Sequence, residues 1–233
     1  MTAVTSHFGA QLFCNELSAR LGDLANLKIL VAGCGSGHEA FVISEQTQAE
    51  VHAIDIEDFL EVDEEQRSQI NFQTGTVCEL PFAQDEFDAV FYYHVIEHVD
   101  QPAESVKDIY RVVKPEGWVF IGTPNRSRLL SSLGAHQQSE WDPTLWNKFC
   151  DNVRDWKDRL TGRFHNHLGA HAGFTTGELH AMVAPVFDRV EWVTQTYIRG
   201  KYRSHRLKTL IQLMTTFPLC YFTAPSIYAW CKK

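Results

Sequence analysis

The sequence predicts an α/β protein built on a doubly wound, mostly parallel sheet with helices on both faces. Two observations carry that prediction. Short apolar runs alternate with helical patterns as far as residue 125. The first such run ends in Gly33-Cys34-Gly35-Ser36-Gly37 and turns straight into a helix.

The elements follow in order. Residues 6–21 place Phe8, Leu12, Phe13, Leu17 and Leu21 at helical spacing, which predicts an amphipathic helix ahead of the first strand. "LKILVAG" (27–33) is a continuous apolar run, as expected of a strand buried on both faces. Residues 36–46 read as a short helix. "EVHAIDI" (50–56), "INFQTG" (70–75) and "FDAVFYY" (87–93) read as the next three strands. "HVIEHV" follows as a helical turn. Residues 102–113 form a helix with proline in its first turn, and "GWVFIGT" (117–123) is a fifth strand. After "TPNRS" the pattern changes. Residues 128–174 are rich in Trp and His and predict no strand. Thr175 and Glu178 form a capping box before the helix "ELHAMVAPVF". "RVEWVTQTYI" (189–198) alternates like a strand, and "SIYAWCKK" (226–233) reads as the last one. These two can pair antiparallel across the basic and then apolar stretch 199–225.

The composition bounds the function. With 233 residues, one large domain with appended inserts is expected. A formal net charge of −8 argues against nucleic acid as a partner. Six scattered cysteines form no C-x-x-C pair, which predicts a reduced, cytoplasmic setting without a zinc knuckle. The N-terminus lacks the pattern of a secretory signal, and no apolar run of membrane-spanning length occurs.

The glycine turn admits three ligands. A phosphate-binding loop requires a lysine after the last glycine, and none follows Gly37. A dinucleotide fingerprint, G-x-G-x-x-G, places its third glycine one residue later than Gly37. The third ligand is the amino-acid end of S-adenosylmethionine, whose carboxylate suits the N-terminus of a helix. Asp55, at the end of the second strand, can accept both ribose hydroxyls in the NAD and S-adenosylmethionine cases alike.

The stretch "GTVCELPFAQDEFDAVFYYHVIEHVDQP" (75–102), followed by "RVVKPEGWVFIGTPN", separates them. Here the chain resembles the class I S-adenosylmethionine-dependent methyltransferases, in particular the small-molecule branch of the ubiquinone-biosynthesis O-methyltransferases. The resemblance covers residues 25–125 and resumes at "HAGFTTGELHAMV" and the last two strands. It implies a Rossmann-like seven-stranded sheet whose last strand is antiparallel; where the resemblance fades, a helical lid or acceptor insert is expected at 126–174 and a basic-apolar insert between the last two strands at 199–225. It also implies roles. Gly33, Gly35 and Gly37 would line the methionine part, Asp55 would hold the ribose, and Ile56 would lie beside the adenine. Thr76, Val77 and Cys78 would flank the adenine, and Tyr93 and His94 would face the sulfonium and the acceptor. The family commonly has an acid where Val31 stands, which helps hold the methionine amino group. Glu39 or a backbone carbonyl is the expected substitute. It commonly has another acid at Thr76, whose hydroxyl can accept the adenine amino group without charge assistance.

Methyl transfer to a hydroxyl needs alignment and a base, not a metal. His94 is a candidate base, weighed against plain packing. His98 is expected to be structural. In "FHNHLGAH", His165, His167 and His171 lack a Cys, Asp or Glu partner, so a polar lid loop is expected in place of a metal site. His167 or His171 is then a second candidate base. Trp141, Trp146 and Trp156 are expected to form a core for the insert, with an aromatic acceptor pocket as the alternative. Basic residues Arg199, Lys201, Arg203, Arg206 and Lys208 precede the apolar "LIQLMTTFPLCYF". This pairing suits a solvated helix face, or peripheral contact with a membrane or an amphiphilic acceptor. The expected activity is methyl transfer, at oxygen, to a small or lipid-like acceptor. The alternatives are a catalytically idle cofactor-binding partner protein and an NAD-dependent oxidoreductase.

Overall fold

The computed structural model describes residues 7–128, 173–203 and 208–233, with positions 150, 153, 157 and 161. The strands are β1 (Lys28–Ala32), β2 (Glu50–Asp55), β3 (Asn71–Thr74), β4 (Phe87–Tyr93), β5 (Val113–Pro124), β6 (Arg189–Trp192) and β7 (Ser226–Lys232). The helices are α1 (Phe8–Leu21), α2 (His38–Thr47), α3 (Glu64–Arg67), α4 (Pro102–Val112), α5 (Thr176–Val183), α6 (Thr194–Lys201), α7 (Lys208–Met214) and α8 (Cys220–Thr223). A 3₁₀ turn spans Ile96–His98.

All seven strands lie in one sheet, in the order β3-β2-β1-β4-β5-β7-β6. The pairs from β3 through β5 are parallel, and β7 runs antiparallel to both β5 and β6. The chain winds outward from β1 to β3 and then returns to the other side of β1 with β4. That reversal opens a crevice beyond the C-terminal ends of β1 and β4, where ligands of doubly wound sheets bind.

Side-chain alternation along the strands builds two cores. Ile29, Val31, Phe91 and Phe120 face α1, α2 and α6; Leu30, Ala32, Val90 and Val119 face α4 and α5. α1 seats Phe13 and Leu17 on the first face, with Phe13 stacked on Trp230 at 5.3 Å. The small residues Gly9, Ala10 and Cys14 complete its buried stripe. The predicted stripe is corrected at its end: Leu21 is exposed. Trp230 Nε1–H donates to Glu16 Oε2 at 2.5 Å, and Arg20 pairs with both Glu16 and Glu191. α1 is thereby tied across the antiparallel edge of the sheet.

The strand expected over 189–198 is less than half as long. β6 stops at Trp192, and Thr194–Lys201 is helical. The physical reason is that the neighbours Tyr197 and Ile198 both pack into the first core, whereas strand alternation would send them to opposite faces. Tyr197 stacks on Tyr228 at 3.7 Å as a result. The short α3 was not expected, although its capping box, Asp63 with Gln66, is written in the sequence. The Thr175–Glu178 box is formed as expected. Among the described residues, no helix is long and apolar enough to cross a membrane.

Candidate active site

The glycine turn is closed by the end of β2. The N–H groups of Gly33 and Cys34 both donate to the Ile54 carbonyl, at 2.8 and 3.0 Å. Gly35 N–H donates to Asp55 Oδ2 at 2.7 Å, and Ile56 N–H to Oδ1 at 2.8 Å. All three glycines of the turn have positive φ. Gly33 has φ 75°, and a Cβ there would lie 2.3 Å from Val95. Gly35 has φ 51° with no atom within 4 Å of such a Cβ, so its backbone faces open space. No side chain caps α2, so its first N–H groups remain available to an anion. Cys34 is buried within the turn, and burial first, then the Asp55 charge, pushes its thiol up to about 12.

A cleft of about 530 Å³ opens over this turn. Gly33, Gly35, Asp55, Ile56, Thr76, Val77, Cys78 and His94 all line it, so eight predicted site residues come together. Ile56 is 69% exposed at the cleft, an unusual position for a large apolar side chain. Val77 packs into the core below, and Thr76 Oγ1 accepts Cys78 N–H at 3.2 Å. The opposite wall is Val95 and His98–Gln101, which sequence reasoning did not assign to the site. His98, expected to be structural, stands exposed on that wall.

Three predicted residues lie elsewhere. Gly37 is the N-cap of α2, beneath Leu60. Glu39 sits in the first turn of α2 with its carboxylate 3.5 Å from His7 Nδ1. Tyr93 points away from the cleft into the first core. Its hydroxyl hydrogen-bonds Tyr197 Oη at 2.7 Å, and its ring stacks on Phe91 and Tyr228. Burial holds the Tyr93 phenol well above its ordinary range. Strand alternation explains the placement, because Tyr93 shares the Phe91 face. Val31 is 2% exposed in the same core, between α1 and α2. His165, His167, His171, Trp141, Trp146 and Trp156 lie outside the described residues.

His94 turns the chain at the end of β4. It adopts φ 56°, rare for a residue with a side chain, and its N–H donates to the Gly122 carbonyl at 2.8 Å. The 3₁₀ turn then brings Glu97 back beneath it. His94 Nδ1 lies 3.3 Å from Glu97 Oε1, and Thr123 Oγ1–H donates to Glu97 Oε2 at 3.0 Å. Glu97 is only 6% exposed, so this carboxylate is held from both sides. The signal for it was present in "HVIEH", where His94 and Glu97 are three residues apart on a tight turn.

The comparisons with known proteins meet this geometry. Residues 30–121 match the methyltransferase domain family. The chain is 34% identical over 205 residues to the ubiquinone biosynthesis O-methyltransferase of Acinetobacter baumannii (strain SDF), covering 84% of this chain and 83% of that protein. It is 30% identical over 153 residues to the enzyme of that name from Leptothrix cholodnii, covering 60% of this chain and 63% of that protein, so under two thirds of that relative's length is spanned. The YcgJ protein of Bacillus subtilis superimposes with a TM-score of 0.59 at 17% identity, over 97% of this chain and 98% of that one, and shares the fold. The chain belongs to the class I S-adenosylmethionine-dependent methyltransferases, in their small-molecule branch.

The cleft fits that family's cofactor. Each Asp55 oxygen accepts one backbone N–H and keeps a lone pair for a ribose hydroxyl. Ile56 offers an exposed apolar surface to a flat base, and Gly35 leaves room for close approach.

Proposed function

We propose that the chain methylates a hydroxyl oxygen of a small, lipid-like acceptor, with His94 as the base. The observation that carries this reading is the His94–Glu97–Thr123 hydrogen-bonded series, whose His94 lines the same cleft as Asp55 and Ile56. Bound S-adenosylmethionine supplies an electrophilic methyl group on a good leaving group. The protein's tasks are alignment and removal of one proton.

Glu97, accepting from Thr123 through Oε2, offers Oε1 as an acceptor and so favours the tautomer with the proton on His94 Nδ1. Nε2 is then the nitrogen free to accept the acceptor's hydroxyl proton as the new carbon–oxygen bond forms. Thr123, on β5, fixes Glu97, and the hydrogen bond from His94 to Gly122 fixes the backbone of the base on that same strand. The logic is that of a base oriented by a buried carboxylate. Such a base contributes roughly 10²–10⁴-fold.

The test is release of S-adenosylhomocysteine over a panel of phenolic, enolic and amine acceptors, for wild type, His94→Gln and Glu97→Gln. Turnover on hydroxyl acceptors that falls about a hundredfold or more in His94→Gln supports the reading. Full activity in that variant removes His94 from the chemistry. Binding of S-adenosylhomocysteine without turnover on any acceptor supports an idle cofactor-binding protein instead.

A further inference from the structure

The charge of this chain is segregated. Residues 192–225 carry five Lys and Arg and no Asp or Glu, whereas all 29 acidic residues precede them. The same C-terminal stretch holds most of the exposed large apolar side chains among the described residues: Leu210, Leu213, Phe217, Leu219, Tyr221 and Phe222.

α7 is apolar on two sides. Ile211 packs against the first core and Thr215 is buried one turn on, while Leu210 and Leu213 point outward. Phe217 meets Tyr221 at a ring distance of 5.6 Å, which joins α7 to α8 in one apolar surface. That surface rides on a fixed backbone. The buried Asn125, just after β5, donates from Nδ2 to the carbonyls of Tyr221 and Ala224 at 2.8 and 3.0 Å. Arg199 and Arg203 stand exposed at the end of α6, on the chain leading into α7.

We propose that this face docks on an anionic lipid bilayer. Apolar and aromatic side chains entering the headgroup boundary, with arginines alongside, form the combination that binds acidic membrane surfaces. An acidic body of opposite sign sets the orientation, because it is repelled from the surface that attracts residues 192–225. Asn125 continues from the C-terminal end of β5, the sheet edge that also bears the cleft. A bilayer held there would lie at the cleft end of the sheet. The inference is independent of which atom is methylated.

The test is flotation of the full chain with phosphatidylglycerol-rich vesicles and with pure phosphatidylcholine vesicles. Flotation is expected with the first, reduced by high salt, and little with the second. The double variant Leu213→Glu, Phe217→Glu is expected to bind at least about tenfold more weakly, and Leu213→Trp, Phe217→Trp to retain binding. Arg199→Gln with Arg203→Gln is expected to lose binding to the anionic vesicles alone. Calorimetry with S-adenosylhomocysteine should give wild-type affinity in all three variants, which separates this outcome from any failure of the methyltransferase reading. Wild-type protein that does not float, or glutamate variants that float equally, overturn the proposal. A chain that sediments as a dimer, becomes monomeric in the glutamate variant and never floats assigns the face to a second copy, and overturns it too.

Discussion

Asp55 Oδ2 accepts the Gly35 N–H at 2.7 Å, so the end of β2 and the middle of the glycine turn form one unit. The residue expected to hold the ribose also holds the loop expected to receive the methionine end. Asp55→Ala should therefore abolish measurable S-adenosylhomocysteine binding in calorimetry, by about a hundredfold or more, because two charge-assisted acceptors are lost and the turn is released. Asp55→Asn keeps an acceptor for Gly35 and should lose less. Equal affinity of wild type and Asp55→Ala would show that the cleft does not bind the cofactor in this way.

Ile56 tests the adenine wall separately. It is 69% exposed, so Ile56→Ala should leave thermal stability within about 0.5 kcal/mol of wild type. Affinity for S-adenosylhomocysteine should fall about tenfold, since the contact exists only in the complex. A change in melting temperature without a change in affinity would place Ile56 outside the site.

Tyr93 is expected to behave oppositely. Its hydroxyl is committed to Tyr197 at 2.7 Å inside the core. Tyr93→Phe should cost about 1 kcal/mol of folding stability in denaturant titration while cofactor affinity stays unchanged. A loss of affinity with unchanged stability would return Tyr93 to the cleft.

The thiols provide a chemical map. Cys34 is buried with its thiol pushed up to about 12, whereas Cys78 lines the cleft. Alkylation followed by mass spectrometry should modify Cys78 before Cys34, and S-adenosylhomocysteine should protect Cys78. Cys14 is likewise raised to about 12 by burial. Both groups favour the neutral form in the folded state. Their contribution to stability is complete below the ordinary thiol value of 9.0 and is lost as pH rises from there through about 12. Denaturant titrations across that window should show stability falling with pH, and less steeply in a Cys34→Ala variant.

Much of this was legible in the sequence because it is local. The glycine turn, the apolar run of β1 and the two capping boxes each depend on residues within a few positions of one another. Asp55 and Ile56 both line the cleft because β2 ends at Asp55 and Ile56 follows it directly. What escaped needed contacts between distant segments. Tyr93 and His94 are neighbours in sequence, but strand alternation and the positive φ at His94 send them to different environments. Glu97 is identified as the residue beneath His94 only once Thr123, on the next strand, is seen to hold its other oxygen. The end of β6 depends on Tyr228, against which Tyr197 stacks from a helix. Val31 shows the same limit: its substitution was visible, but only the packing between α1 and α2 shows that an apolar core closes where an acid was expected.

The central claim is methyl transfer to oxygen with His94 as base, and the most direct test is the structure of the product. Incubation with S-adenosylmethionine carrying an isotope-labelled methyl group and a hydroxyl-bearing acceptor, followed by NMR of the purified product, reads the bond that forms. The account predicts a labelled methyl ether, formed at least about a hundredfold more slowly by His94→Gln. A labelled methyl group on carbon or nitrogen, or an ether formed at the wild-type rate without His94, would contradict it.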